Sequence, residues 1–249
     1  MSKLLVLIIK TEPGSTDNNI ENLKNVFSDP FFNLNVVNVS PPAIIQKTKN
    51  LSNYDILTLN RVKKSLNYAN SKFKDFYTLL ILDTSMTYET ASSMKDKIER
   101  VMNLDFDILY LCKWYEDCQN ILKSQVSNVY KTTKPKGFQS ALFSPNMIKI
   151  VLSDDFNSAI SFPKNVENLI ASDKIKAYSY TPNLVNFDIE FAKINEEYLK
   201  LNEFSPLIKR SPNESISYIW FIFLLLLIIV TAYVVIKIGP NDDKKKEIL

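Results

Sequence analysis

No histidine occurs among the 249 residues of this chain, and that absence decides much of the chemistry open to it. An imidazole takes the proton in Ser-His-Asp and Cys-His nucleophile arrangements, so neither can be assembled here. Most catalytic zinc sites are lost with it. The two cysteines, Cys112 and Cys118, supply neither a four-ligand zinc site nor a disulfide framework, and are expected to be reduced structural thiols of a cytosolic domain. Gly14, Gly137 and Gly239 lie too far apart for the turn, dense in glycine, that cradles a phosphate or a dinucleotide. P-loop hydrolases and nicotinamide or flavin enzymes are thereby excluded. The 30 basic and 27 acidic side chains nearly balance at +3, without a basic stripe interleaved with stacking aromatics, so nucleic acid is not an expected partner. Two polar features stand out. Asp83 closes an apolar run, where a lone carboxylate commonly caps a loop or the next helix. Lys113-Trp114-Tyr115-Glu116-Asp117 reads as a surface turn burying Trp114, with an exposed platform for a sugar or a partner as the alternative.

The elements that must hold these residues follow from hydrophobic periodicity. Leu4 to Ile9 is a six-residue apolar run closed by Lys10, with no small-residue cleavage site, and reads as a first strand, not a secretory signal. Turn residues Glu12-Pro13-Gly14-Ser15 precede a helix carrying Ile20, Leu23 and Phe27. A second strand, 34–39, stops at Pro41-Pro42. A longer helix places Leu59, Val62, Leu66, Ala69 and Phe73 on one face, with Arg61, Lys63, Lys64 and Lys72 elsewhere. The run 77–82 is apolar almost throughout, as expected for a strand covered on both faces, and ends at Asp83. A helix through Met94, Ile98, Val101 and Met102 leads to a fourth strand, 106–111. Ser144-Pro145 is an N-cap followed by proline at the first helical position, opening a helix through Met147, Ile148 and Val151. Alternation of strand and helix predicts a mostly parallel α/β sheet. After Pro163 come a helix through Val166, Leu169 and Ile170, a strand over 174–180 broken by Pro182, and a helix over 188–201.

Beyond this domain the chain changes character. Ser215 to Ile236 holds no charged residue, and at ~1.5 Å per residue it reaches about 33 Å, enough to cross a ~30 Å hydrocarbon core. Its middle is apolar on every face, unlike a helix that packs on a soluble domain. Tyr218 and Trp220 at one end and Tyr233 at the other suit the headgroup layer, and Lys237 can snorkel. The expected organisation is an α/β domain over 1–201, a stalk over 202–214 containing Pro206 and Pro212, a transmembrane helix over 215–238 and a charged tail over 239–249. With no earlier targeting signal, the large domain is expected in the cytosol. Flanking charge helps little, since Lys209 and Arg210 face Lys244, Lys245 and Lys246 across the span. The sequons at Asn38, Asn50 and Asn213 matter only for a luminal domain.

Several blocks, in order, carry a family resemblance. Leu59 to Asp83 is similar to a helix and a strand ending in an acidic motif, and Asp107-Ile108-Leu109-Tyr110-Leu111 to the strand after it. Gly137-Phe138-Gln139-Ser140-Ala141-Leu142-Phe143-Ser144-Pro145, then Lys174-Ile175-Lys176-Ala177-Tyr178 and Thr181-Pro182-Asn183-Leu184-Val185, complete the series over about residues 1 to 190. Together they resemble the family 25 glycosyltransferases, the lipooligosaccharide and collagen galactosyltransferase group. The resemblance implies a GT-A nucleotide-sugar transferase fold, in which strand-end carboxylates hold a divalent Mn²⁺ or Mg²⁺ against the donor diphosphate. At that strand end the family reads roughly Glu-Asp-Asp, whereas this chain has Asp83-Thr84-Ser85. Asp83 alone carries over as a cofactor contact, and two neutral hydroxyls bind a cation weakly. Glu89 and Asp107 are the carboxylates that could contribute from nearby. Where the family places a later acidic pair, this chain has Lys164 and Asn165 ahead of Glu167.

Loss of carboxylates at both places points to decayed catalysis. The expectation is a membrane-anchored scaffold or interaction protein on a degenerate glycosyltransferase-like domain, with the bilayer and other membrane or virion proteins as partners and no cofactor. The alternative is an active membrane-tethered transferase that takes a sugar from a nucleotide-diphosphate donor, its leaving group stabilised by Lys134, Lys136 and Lys164. A composition heavy in Asn, Lys and Ile suggests an AT-rich coding genome, such as that of a large DNA virus or a protist.

Overall fold

The computed structural model describes residues 4–10, 17–39, 51, 53–113, 122–135, 137–154 and 156–187. In chain order these form β1 (Leu4–Lys10), α1 (Asp17–Val26), β2 (Asn33–Asn38), α2 (Asn53–Lys72), β3 (Tyr77–Leu82), β4 (Ser85–Met86) and α3 (Ala91–Val101). There follow β5 (Ile108–Cys112), β6 (Leu122–Lys123), β7 (Val129–Lys131), β8 (Ser140–Phe143), α4 (Pro145–Leu152), α5 (Phe162–Ala171), β9 (Ala177–Tyr180) and β10 (Asn186–Phe187). The chain divides into two units, Met1–Leu207 and Ile208–Leu249, and the second lies outside the described residues. So do the helix expected over 188–201, the apolar run with Tyr218, Trp220, Tyr233 and Lys237, the segment from Trp114 to Cys118, and Lys136. Among the described residues no helix is long and apolar enough to cross a membrane.

β1 is apolar at six successive positions because both of its faces are covered. Leu4, Val6 and Ile8 enter one core, and Leu5, Leu7 and Ile9 enter the other. On the first side lie α1, through Ile20, Leu23 and Val26, and α3, through Met94, Ile98 and Val101. The second side is packed by α2 through Leu59, Val62, Leu66 and Ala69, by α4 through Met147, Ile148 and Val151, and by α5 through Phe162, Val166 and Ile170. Helices therefore sandwich the sheet, and the 3.6-residue spacing of each buried stripe is the pattern its sequence predicts.

The main sheet runs β2-β1-β3-β8-β5-β9-β7-β6. Its pairings set β2, β1, β3, β5, β9 and β6 in one direction and β8 and β7 in the other. The sheet is thus mixed α/β and mostly parallel, with two strands reversed: β8 wedges antiparallel between β3 and β5, and β7 between β9 and β6. The four residues of β8 are all buried, so they show no polar alternation that would mark them as a strand, and so short an apolar run is ambiguous in sequence. The expected last strand also shortens. Asp173 sits at φ 52° and the Lys174 N–H bonds back to Leu169, so α5 is still being closed there and β9 starts at Ala177. Local caps follow the sequence: Thr90, Ser144 and Ser161 accept from the backbone N–H of Ser93, Met147 and Lys164 at the heads of α3, α4 and α5.

Candidate functional site

In an open α/β sheet ligands are taken outside the carboxyl ends of the parallel strands. Here β1, β3, β5 and β9 end at that edge and β8 begins there. Asp83 is the first residue beyond β3, fully buried, and its N–H continues the ladder to the Ile9 carbonyl at 3.0 Å. Thr84 and Ser85 are buried beside it. Facing them is Gln139, just ahead of β8, fixed by the Leu82 N–H on its carbonyl at 3.0 Å. Its side-chain amide lies 2.5 Å from the Thr84 Oγ1 and 3.0 Å from the Ser85 Oγ. A neutral amide thus takes up both hydroxyls at the position where the resemblance implies metal-binding carboxylates. A hard cation needs several oxygens bearing negative charge, and this corner offers hydroxyls already engaged.

The other candidate carboxylates have partners of their own. The Glu89 Oε2 accepts from the Ser93 Oγ and the Lys97 Nζ, each at 2.6 Å, which ties it to the first two turns of α3. Burial alone would raise its pKa, but the hydrogen bonds from Lys97 and Ser93 outweigh that and hold the carboxyl below its ordinary range. Asp107 precedes β5 whereas Asp83 follows β3, and the two strands run the same way. A strand of five residues at ~3.3 Å each therefore sets Asp107 about 16 Å away, at the opposite edge. There its carboxylate accepts from Asn146, Ser144 and the Lys176 backbone. The expectation that Asp107 lies near Asp83 is corrected by strand direction.

Lys164 pairs with Glu167 at 3.0 Å on the exposed side of α5. The exposed Lys134 follows Thr132, whose N–H bonds to Ala177 where β9 begins, so it too starts from the far edge. Asn165 is buried, and its amide bonds to the carbonyls of Asn157, Ile160 and Ser161 and to the Asn157 N–H. It organises the loop before α5. Among the described residues no group of three or more Asp, Glu, Cys or His side chains is placed to hold a metal ion.

A feature whose role the sequence did not reveal lies across the carboxyl edge. Residues 181–187 leave β9 and pass over the ends of β5 and β3 as a strap. The Asn183 amide donates to the Lys113 carbonyl at 3.2 Å, and the N–H groups of Leu184 and Val185 both reach the Leu111 carbonyl, at 3.0 and 3.3 Å. The register shift between Tyr110 and Cys112 takes Leu111 out of the β8 ladder and leaves its carbonyl for the strap. Thr87 latches it: its Oγ1 donates to the Leu184 carbonyl at 2.7 Å, while Asn22 of α1 holds both the Thr87 carbonyl and its N–H, at 3.1 and 3.0 Å. Finally β10 pairs with β4, setting Phe187 against Ser85. Leu184 and Val185 are buried. The strap is therefore part of the core that includes α1 and α3. Thr87→Val keeps the shape and removes the latch. It is expected to lower stability by about 1–2 kcal/mol, and to speed amide hydrogen exchange at Leu184 and Val185 more than in β3, which denaturant melts and exchange measurements would check.

Beneath the strap, the Lys113 ammonium donates to the Ser179 Oγ at 2.5 Å and the Thr181 Oγ1 at 3.3 Å. Cys112 beside it is buried, and burial pushes its thiol up to about 12, against a smaller lowering by the Lys113 charge. A thiol with so high a pKa is a poor nucleophile. Native protein at pH 8 is expected to leave Cys112 unlabelled by a maleimide, with labelling appearing on denaturation. Linkage has a definite sign here. The folded state keeps the proton that the unfolded chain loses near 9.0, so this contribution to stability is complete below pH 9 and is lost as pH rises towards 12.

No family model matches the chain, and no curated protein matches it. Solved structures do resemble it. A197 from STIV superposes with a TM-score of 0.43 at 12% identity, covering 72% of this chain and 81% of that one. A glycosyltransferase involved in glycosylation of the major capsid of PBCV-1 gives 0.38 at 12% identity, over 66% and 74%. UDP-glucose pyrophosphorylase from Acinetobacter baumanii gives 0.41 at 10% identity, over 78% and 67%. The last two neighbours are a glycosyltransferase and a nucleotidyltransferase. Similarity at this level assigns the chain neither a family nor an activity, and none of these matches carries the family 25 resemblance read from the sequence.

Proposed function

We propose that this protein is a non-catalytic binding or scaffold protein, a nucleotide-sugar-transferase-like domain held at a bilayer by the apolar run from Ser215 to Ile236. One observation carries the non-catalytic part: the Gln139 amide engages Thr84 and Ser85, so the two hydroxyls beside Asp83 are already committed. The strap adds to it, since Leu184 and Val185 bond across the end of β5, where a ligand would otherwise approach. The anchor rests on the length and composition of the apolar run. The test is calorimetry on the full chain in detergent with Mn²⁺ and a panel of nucleotide-diphosphate sugars. No binding by well-folded protein is the expected result. Manganese-dependent binding that disappears in Asp83→Ala would overturn it in favour of an active transferase.

A further inference from the structure

The two edges of the main sheet differ. β6, at one end of the strand order, is two residues long and includes Lys123, so it offers little for another strand to pair with. β2 is the edge at the other end among the described strands, and its six residues, Asn33-Leu34-Asn35-Val36-Val37-Asn38, include no charge and no proline. Its ladder to β1 runs without a bulge. Short length, lysine, proline and bulges are the usual means of keeping an edge from pairing, and β2 has none of them. The Val39 N–H bonds to the Lys10 carbonyl at 3.4 Å. Backbone groups alternate in direction along a strand, so those of Leu34, Val36 and Asn38 point away from β1. Leu34 and Val36 lie beside Val6 and Ile8 on the α1/α3 face of the sheet, and Val36 is 40% exposed.

We propose that β2 pairs antiparallel with β2 of a second copy of this chain, making a two-fold dimer with one sheet continuous through both domains. The dyad stands normal to the sheet at Val36, so that Val36 faces Val36, Leu34 faces Asn38 and Asn35 faces Val37, each pair on a single face of the sheet. In this register every outward residue of β2 exchanges both of its hydrogen bonds with the opposite copy. A dyad at Asn35 would use only Leu34 and Val36 and leave Asn38 out. A second copy is the occupant because the strand is complementary to itself, as an isologous interface requires. Its outward groups fall symmetrically about Val36, no like charges meet across the axis, and an exposed valine is covered by its own equivalent. The inference depends neither on the anchor nor on the absence of activity.

The protein mass of the full chain in detergent is measured by light scattering across a concentration series, and a dimer is the expected result. Val36→Lys sets two like charges against each other at the dyad and should weaken the dimer by about tenfold or more, with the thermal melt of the domain retained because the position is already part-exposed. Cysteine variants in a Cys118→Ser background then read the register. In Val36→Cys the two Cα atoms lie about 5.5 Å apart, within disulfide reach, so mild oxidation should give a covalent dimer. In Asn35→Cys they lie about 8 Å apart, too far for a disulfide, and the chain should stay unlinked. A monomer at the highest soluble concentration overturns the proposal and leaves this edge to an extended segment of another protein. A dimer that Val36→Lys leaves intact also overturns it, since the copies then meet elsewhere, as through the apolar run. Linking of Asn35→Cys as fast as Val36→Cys overturns the dyad at Val36.

Discussion

Phe162→Ala is expected to destabilise the domain by about 3–5 kcal/mol, the range for truncating a fully buried phenylalanine. Phe162 opens α5 and is wholly buried. Its ring meets Phe138 edge-on at 5.2 Å, and Phe156 and Phe143 at 5.7 and 6.1 Å. Two separate segments therefore share one ring: β8 with the residues leading into it, and the loop after α4. Alanine would leave a cavity that these rings fill poorly, since each is also held by its own strand or loop. The effect should reach the candidate site, because Phe138 is the residue before Gln139. A lower denaturant midpoint with an unchanged slope would report the loss. Phe162→Leu, which keeps most of the volume, should show a much smaller change. A cost below about 1 kcal/mol for the alanine variant would mean that this cluster does not hold α5 in place.

What could be read in the sequence was whatever one element decides by itself. β1, β3 and β5 are legible because strands covered on both faces are apolar at every position, and α2, α3 and α4 because their buried stripes recur at helical spacing. Proline after Ser144 and after Phe162 marked two helix starts for the same local reason. The site depended on contacts between segments far apart. Gln139 closes on Thr84 and Ser85 across more than fifty residues, and neither end carries a pattern that names the other. Thr87 and Leu184 are 97 residues apart, and Pro182 showed only that a strand ends there. Asp107 was misplaced for a simpler cause. A strand over 106–111 puts it inside the sheet, whereas β5 begins at Ile108, so it falls ahead of the strand and at the edge opposite Asp83. The reading that Asp107 could contribute near Asp83 assumed that residues flanking two strands converge. Strand direction decides that, and here it separates them.

Replacing Asp107 by alanine should cost about 2–3 kcal/mol, the scale of hydrogen bonds to a charged group that also joins distant segments. One carboxylate oxygen accepts from the Lys176 N–H at 2.8 Å, the other from the Asn146 Nδ2 at 2.8 Å and the Ser144 Oγ at 3.5 Å. Its backbone is committed in the same directions, donating to the Lys176 carbonyl and accepting from the Ser144 N–H, both at 2.8 Å. Asp107 therefore fastens the entry to β9 and the head of α4 to the start of β5. Its negative charge also sits favourably at the amino end of α4, where the unpaired N–H groups leave partial positive charge. Asp107→Asn keeps an acceptor and loses the charge, so it should fall between alanine and the native residue. Faster hydrogen exchange at Lys176 and Met147 in the alanine variant, with β1 unaffected, would locate the loss at this tie. A metal or sugar ligand would predict the reverse: native stability with altered binding, which is the behaviour that the position of Asp107 at the far edge argues against.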